Sequence, residues 1–211
     1  MPTRLRVSLL IVAALLVWAC TPSTVFTSTW KTPDVATVSP VGKTIVAVFV
    51  TRDESKRRAA EDAIAADLTA RGAKGIAGYT ILPTPPNSQS LDSDAARAQL
   101  KAAGANGVIV MRVVGRDQRV SYTPGYTAPA PYGGFGPYWG YGWSTVYQPG
   151  YLQTDTDVSV ETLVYSLTQD KLLWASTSRT TNPADLNSLI NDVAHATAAE
   201  MAKQGFLATA K

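Results

Sequence analysis

KTIVAVFVTRDESKRRAAEDAIAADLTARG, residues 43–72 of a 211-residue chain, changes its period partway along. Residues 43–51 form a β-branched run bounded by polar side chains, the pattern of a buried strand. From Asp53 to Arg71 the spacing turns helical. Ile64 and Leu68 stand four apart, Asp53 or Ser55 is placed to cap the first turn, and Gly72 is placed to end the last one. A buried strand that feeds a helix is the opening half of an α/β unit.

The pattern then repeats. Residues 75–82 predict a second strand that stops at Pro83, and residues 83–90 read as a polar loop. Residues 93–103 predict a second helix, with Ala96 and Leu100 inward and Gly104 as its stop. Residues 107–122 predict a long third strand. Residues 154–167 and 172–180 predict two more, and the short turn between them makes an antiparallel hairpin. Asn182-Pro183 reads as an N-cap followed by proline at the first helical position. The last helix runs to about Gln204, with Leu186, Leu189, Ile190, Val193 and Met201 as its apolar stripe. The expected fold is therefore α/β: β-α-β-α-β-β-β-α on a single mixed sheet, with right-handed crossovers and helices packed against it.

Between the third and fourth strands lies a Gly-, Pro- and Tyr-rich run, residues 122–151. Its ends mirror one another, YTPGY at one side and YQPGY at the other. Pairing Tyr122 with Tyr151 in an antiparallel ribbon puts Tyr126 opposite Tyr147, Arg116 opposite Asp157 and Arg112 opposite Glu161. The other face then pairs Val113 with Val160, Met111 with Thr162 and Ile109 with Val164. Opposite charges on one face and apolar pairs on the other are what a correct register produces. The same arithmetic in the next hairpin sets Tyr165 against Trp174. Residues 123–148 carry no charge, so phosphate binding is excluded there. Tyr126, Tyr132, Tyr138, Trp139, Tyr141, Trp143 and Tyr147 have apolar bodies and polar tips. They suit a partner protein, a glycan such as peptidoglycan, a lipid interface or a second copy of the loop, and equally suit packing within the chain.

The N-terminus indicates where the chain resides. Arg4 and Arg6 precede an apolar stretch, residues 7–17, of secretory length and too short to span a bilayer as a permanent helix. Val17-Trp18-Ala19-Cys20 follows. Cys20 is the single cysteine, so no disulfide forms within the chain. Loss of residues 1–19 would leave seventeen basic against sixteen acidic residues, and the formal charge would fall from +3 to +1. Such a balance creates no large basic field, so nucleic acid is not an expected partner. Residues 21–42, rich in Ser, Thr and Pro with Trp30 as one large anchor, read as a tether.

Gly42-Lys43-Thr44 lacks the first P-loop glycine and precedes a strand instead of following one. His195 is the only histidine, off the apolar stripe of its helix. With one histidine and one cysteine there is almost no material for a zinc site or a nucleophile–histidine pair. Glu54, Glu61, Asp62 and Asp67 interleave with Lys56, Arg57, Arg58 and Arg71, which reads as an exposed, salt-laced helix face. No cofactor, no metal and no catalytic residue are expected, although an Asp/Glu pair across a cleft stays open.

The residues around Cys20 resemble the lipobox of bacterial lipoproteins. That resemblance implies acylation of the Cys20 thiol, cleavage before it and acylation of the new amino group. Several acyl chains anchor a protein stably, while one does so only marginally. Thr21 in place of Asp implies the outer membrane, facing the periplasm. The mature chain, through TRDESKRRAAEDAIAADLTARG, ANGVIVMRVVG, YTPGY and VSVETLVYSLTQDKLLWASTSRTTNP, is similar to a family of such envelope lipoproteins. The order of elements also resembles the small α/β domain of the TolB N-terminus and of the curli-secretion lipoprotein, an analogy of fold. The joint expectation is one periplasmic domain, residues 43–211, that is non-enzymatic, lipid-anchored and presents an aromatic loop. The alternatives are a glycan-acting hydrolase with unidentified carboxylates and a self-assembling lipoprotein.

Overall fold

In the computed structural model, residues 24–33, 35, 37–83, 93–124 and 150–207 are described. Cys20 and the seven loop aromatics of the expected contact surface lie outside them.

Six strands form one mixed sheet: β1 (Thr24–Lys31), β2 (Thr44–Phe49), β3 (Lys74–Ala77), β4 (Gly107–Thr123), β5 (Tyr151–Ser166) and β6 (Lys171–Thr181). Their spatial order is β1-β6-β5-β4-β2-β3. Strands β3, β2 and β4 are parallel, and β5, β6 and β1 continue antiparallel. The helices are α1 (Glu54–Ala70), α2 (Ser93–Ala102) and α3 (Leu186–Lys203). This is the expected α/β architecture with one strand added.

The alternation of β2 explains the layers. Ala47 and Phe49 face one side with Ile64, Met111, Val160, Ile190 and Val193, beneath α1 and α3. Val46 faces the other side with Leu100 of α2 and Val108. The chain leaves β2 toward β3, then crosses back past β2 to β4. Two right-handed crossovers in opposite directions place their helices on opposite faces.

The added strand corrects the tether. Residues 24–31 pair with β6, and the next residues are clamped to the end of α3. The Thr24 and Thr180 hydroxyls are bonded at 2.7 Å in a buried setting. Lys31 Nζ donates to Gln204 O at 2.9 Å, and Val38 N donates to Phe206 O at 2.7 Å. The docking aromatic is Phe26, edge-on to the fully buried Trp174 at 6.3 Å. Trp30 remains 48% exposed. Composition suggested a linker here, but TVFTSTWK is also rich in β-formers, and the open edge of β6 is available to pair with it.

Two helix starts test the capping signals. Asp53 caps α1: its Oδ1 accepts from Ser55 N at 3.1 Å, Ser55 Oγ at 2.8 Å and Lys56 N at 3.2 Å. These bonds, the Ser55 side chain first, lower its pKa from 3.8 to about 2. A carboxyl depressed in the folded state contributes stability that is present above its unfolded pKa and lost as pH falls through its folded one. Asp53→Ala is therefore expected to lower the thermal midpoint at neutral pH. The difference from the parent chain should shrink between about pH 4 and pH 2; a difference unchanged down to pH 2 would contradict the cap.

The start of α3 departs from expectation, because its N-cap is Asp185, whose Oδ1 accepts from Ser188 N at 2.7 Å. Asn182 adopts a left-handed φ of 50° and serves the sheet instead.

Candidate functional site

The long β4–β5 ribbon is the feature that the sequence singled out. Its lower half has the expected register: Ile109 faces Val164, Met111 faces Thr162, Arg112 faces Glu161 and Val113 faces Val160. Arg112 Nε donates to Glu161 Oε2 at 2.5 Å, and this contact raises the Arg112 pKa.

Above Val113 the register slips by one. A bulge between Val113 and Gly115 leaves Val114 unpaired, so Gly115 faces Ser159 and Arg116 faces Val158. The expected Arg116–Asp157 pair is therefore not formed. Asp117 now stands opposite Asp157, and Arg119 is the residue that ion-pairs with it. Likewise Tyr122 faces Leu152, and Thr123 faces Tyr151. One extra residue moves every later side chain to the other face. A second bulge, between Val164 and Tyr165, sets Val164 against Trp174 and Tyr165 against Leu172, which replaces the expected Tyr165–Trp174 pair.

The ribbon leaves the body of the sheet at Asp157. The last β5–β6 pair is Asp157 with Thr181, and β2 stops pairing with β4 at Met111. From Gln118–Thr156 to Thr123–Tyr151 the two strands pair only with each other. Six such pairs extend about 20 Å.

A polar cluster fixes the root. Thr181 Oγ1 donates to Asp157 Oδ1 at 2.7 Å, and Arg119 Nη2 donates to Asp157 Oδ2. Asn182 Nδ2 donates to Asp155 Oδ1 at 2.7 Å, while Asn182 Oδ1 accepts from Thr156 N at 2.7 Å. The Thr181 hydroxyl, ahead of Arg119, holds Asp157 below the usual carboxylate range, and Asn182 does the same for Asp155. Asp117 and Asp157 are two carboxylates in register on one face of the ribbon, the residue type a hydrolase reading looks for. Asp157, however, is ionised and fully engaged, so it is no proton donor near neutral pH.

Beyond the root the ribbon is two-faced. Asp117, Arg119 and Ser121 share one face with Asp157, Asp155 and Gln153, while Gln118, Val120 and Tyr122 share the other with Thr156, Thr154 and Leu152. The second face is uncharged and open: Val120 is 65%, Tyr122 63% and Leu152 71% exposed. A two-stranded ribbon is marginal alone, and this one exposes an apolar face.

One carboxylate was misread from sequence. Glu61 is fully buried and is not part of an exposed charged face. Its Oε1 accepts from Phe49 N and Arg57 Nε, both at 3.0 Å, and its Oε2 accepts from Tyr79 N at 2.5 Å. Arg57, 6% exposed, passes Nη2 on to Leu82 O at 2.7 Å. The pair sits beyond the carboxyl ends of β2 and β3, where α/β folds place ligands. Here it ties α1 to both strand ends. His195 is exposed as expected, with Nδ1 at 3.2 Å from Arg71 Nη2. Among the described residues no group of three or more His, Cys, Asp or Glu could hold a metal, and no helix is long and apolar enough to cross a membrane.

The fold and ribbon define an α/β sheet protein with a projecting two-stranded arm. No protein-family model and no curated protein matches the chain. Solved structures similar to it include a PelC dodecamer from Paraburkholderia phytofirmans, at 14% identity and a TM-score of 0.45, over 88% of this chain and 99% of that one. A variant PelC dodecamer from the same organism aligns at 16% identity and a TM-score of 0.43, over 80% and 93%. Lipoprotein GNA1162 from Neisseria meningitidis aligns at 13% identity and a TM-score of 0.41, over 76% and 99%. Likeness of this degree identifies neither a shared function nor a shared assembly.

Proposed function

We propose that this chain is a non-enzymatic lipoprotein of the bacterial envelope, acylated at Cys20 and held on the periplasmic face of the outer membrane. In this reading the β4–β5 arm and its aromatic loop engage a partner at that membrane surface. One observation carries the reading. Strand β1 begins at Thr24, opposite Thr180, and Thr180 also pairs with Val158 beside the root of the arm. Four Cα–Cα steps lead from Cys20 to Thr24, a covalent reach of at most about 14 Å. The anchor and the arm therefore belong to the same end of the sheet. An arm about 20 Å long with an uncharged face then meets the bilayer surface or whatever is bound there. Absence of charge from residues 123–148 keeps the desolvation cost of that approach low.

The test is a photo-crosslinking residue at Leu152 in the acylated chain, in its native envelope. Crosslinks to phospholipid or to an envelope component, lost when Cys20→Ser releases the chain to the soluble fraction, support the reading. Crosslinks that persist unchanged in Cys20→Ser, or a bare Cys20 by mass spectrometry, overturn it. Crosslinks between copies, together with a larger particle in detergent, would favour self-assembly instead.

A further inference from the structure

Between the sheet and the α1–α3 layer lies a cavity of about 310 Å³. Its walls are apolar: Ile45, Ile109 and Val164 from the sheet, and Leu68 and Met201 from the helices. It reaches inward to Ile64 and Met111, which are 1% and 2% exposed. Its open end is marked by Lys43, exposed, with Asn106 and Gln169 beside it. The volume lies at the small end of the roughly 300–1,000 Å³ typical of ligand sites. It holds on the order of ten groups of about 30 Å³ each.

Two further observations concern polar groups. Thr197, 5% exposed, lines the cavity, and its Oγ1 has no hydrogen-bond partner among the described residues. Buried hydroxyls are rarely left so, because the lost hydration is not replaced. At the mouth, the Arg71 cation is met by Asp67 at 2.7 Å, but Lys43 has no anionic partner among the described residues. The site thus offers an unmatched cation outside, a hydroxyl along the wall and an apolar interior.

We propose that this cavity binds the acyl chain of a single-chain anionic lipid. The anionic head lies at Lys43, an ester or hydroxyl oxygen meets Thr197, and the tail runs in toward Ile64 and Met111. The chain's own acyl groups are poorly placed for it. The mouth adjoins Leu173, at the start of β6, whereas Thr24 pairs with Thr180 at the opposite end of that strand. This site is independent of the arm and of the anchor.

The experiment uses the mature chain carrying Cys20→Ser, so that no acyl group of its own competes, and follows cis-parinaric acid fluorescence. Saturable binding is expected, displaced by laurate and by lauroyl lysophosphatidate but much more weakly by dodecanol. Lys43→Glu is a change at an exposed residue, expected to leave the far-ultraviolet circular dichroism unchanged, and it should weaken both anions about fivefold. Thr197→Val should weaken the ester-bearing lysophosphatidate more than laurate. Ala198→Trp, which fills the cavity, should abolish the signal with the far-ultraviolet circular dichroism retained. The proposal falls if binding is unsaturable, if dodecanol competes as well as laurate, or if Lys43→Glu changes nothing. It falls equally if the acylated protein in detergent refuses the probe that the Cys20→Ser chain accepts, because its own lipid then fills the cavity.

Discussion

Glu61→Ala is expected to destabilise the protein by about 3–5 kcal/mol, the cost of removing one partner from a buried ion pair. The substitution leaves the Arg57 guanidinium in a site where it is 6% exposed, with Glu54 3.7 Å away and 44% exposed. It also removes the acceptor of two backbone N–H groups, on Phe49 and Tyr79. For a domain of this size about 1 kcal/mol moves the thermal midpoint by 2–4 °C, so thermal unfolding should show a fall of roughly 10 °C. Adding Arg57→Ala should recover part of the loss, because no uncompensated charge then remains. A fall of only a degree or two in the single variant would mean that the pair contributes nothing net.

Gly75→Ala should cost at least about 3 kcal/mol, through overpacking that no rotamer can relieve. A Cβ at Gly75 would lie 2.1 Å from the Ala65 carbonyl oxygen, and that oxygen belongs to the α1 backbone. The obstacle is a whole helix, so the strand or the helix must move. Movement there also disturbs the Glu61 network, since Tyr79 lies two residues past the β3 end at Ala77. Expression in the soluble fraction and the unfolding midpoint both report on it. Gly104→Ala is the comparison: its Cβ meets nothing within 4 Å, but φ is +72°, so a smaller loss from backbone strain alone is expected. If the two variants behave alike, the close packing of α1 on β3 is not what Gly75 provides.

These effects bear on how much of the molecule could be read in advance. The run at residues 43–72 was decisive because a strand period and a helix period are different numbers, and each was written cleanly. Arg112 and Glu161 fell opposite one another because complementary side chains on both faces left one register for that part of the ribbon. Arg116 and Asp157 failed because a bulge costs one residue and leaves no mark in composition. Val113, Val114 and Gly115 read equally well as regular strand. Strand β1 was missed for the opposite reason. A short Thr-rich segment looks like a linker until an open sheet edge is there to receive it.

The candidate surface divides in the same way. The uncharged aromatic run and the cysteine after an apolar leader are properties of the chain in one dimension, and so were visible in it. That Thr24 and the root of the arm adjoin the same β6 residue was not. It depends on β1 adding beyond β6, a pairing between segments more than 100 residues apart, and on β4 and β5 outrunning their neighbours.

Local periodicity, the Asp53 cap and the lipobox resemblance were legible along the chain, because each rests on residues within one turn or one strand of each other. Burial of Glu61, the two bulges, the sixth strand and the cavity at Thr197 arose only on assembly. Each depends on which distant backbone lies alongside, and contacts of that range leave no period in the sequence.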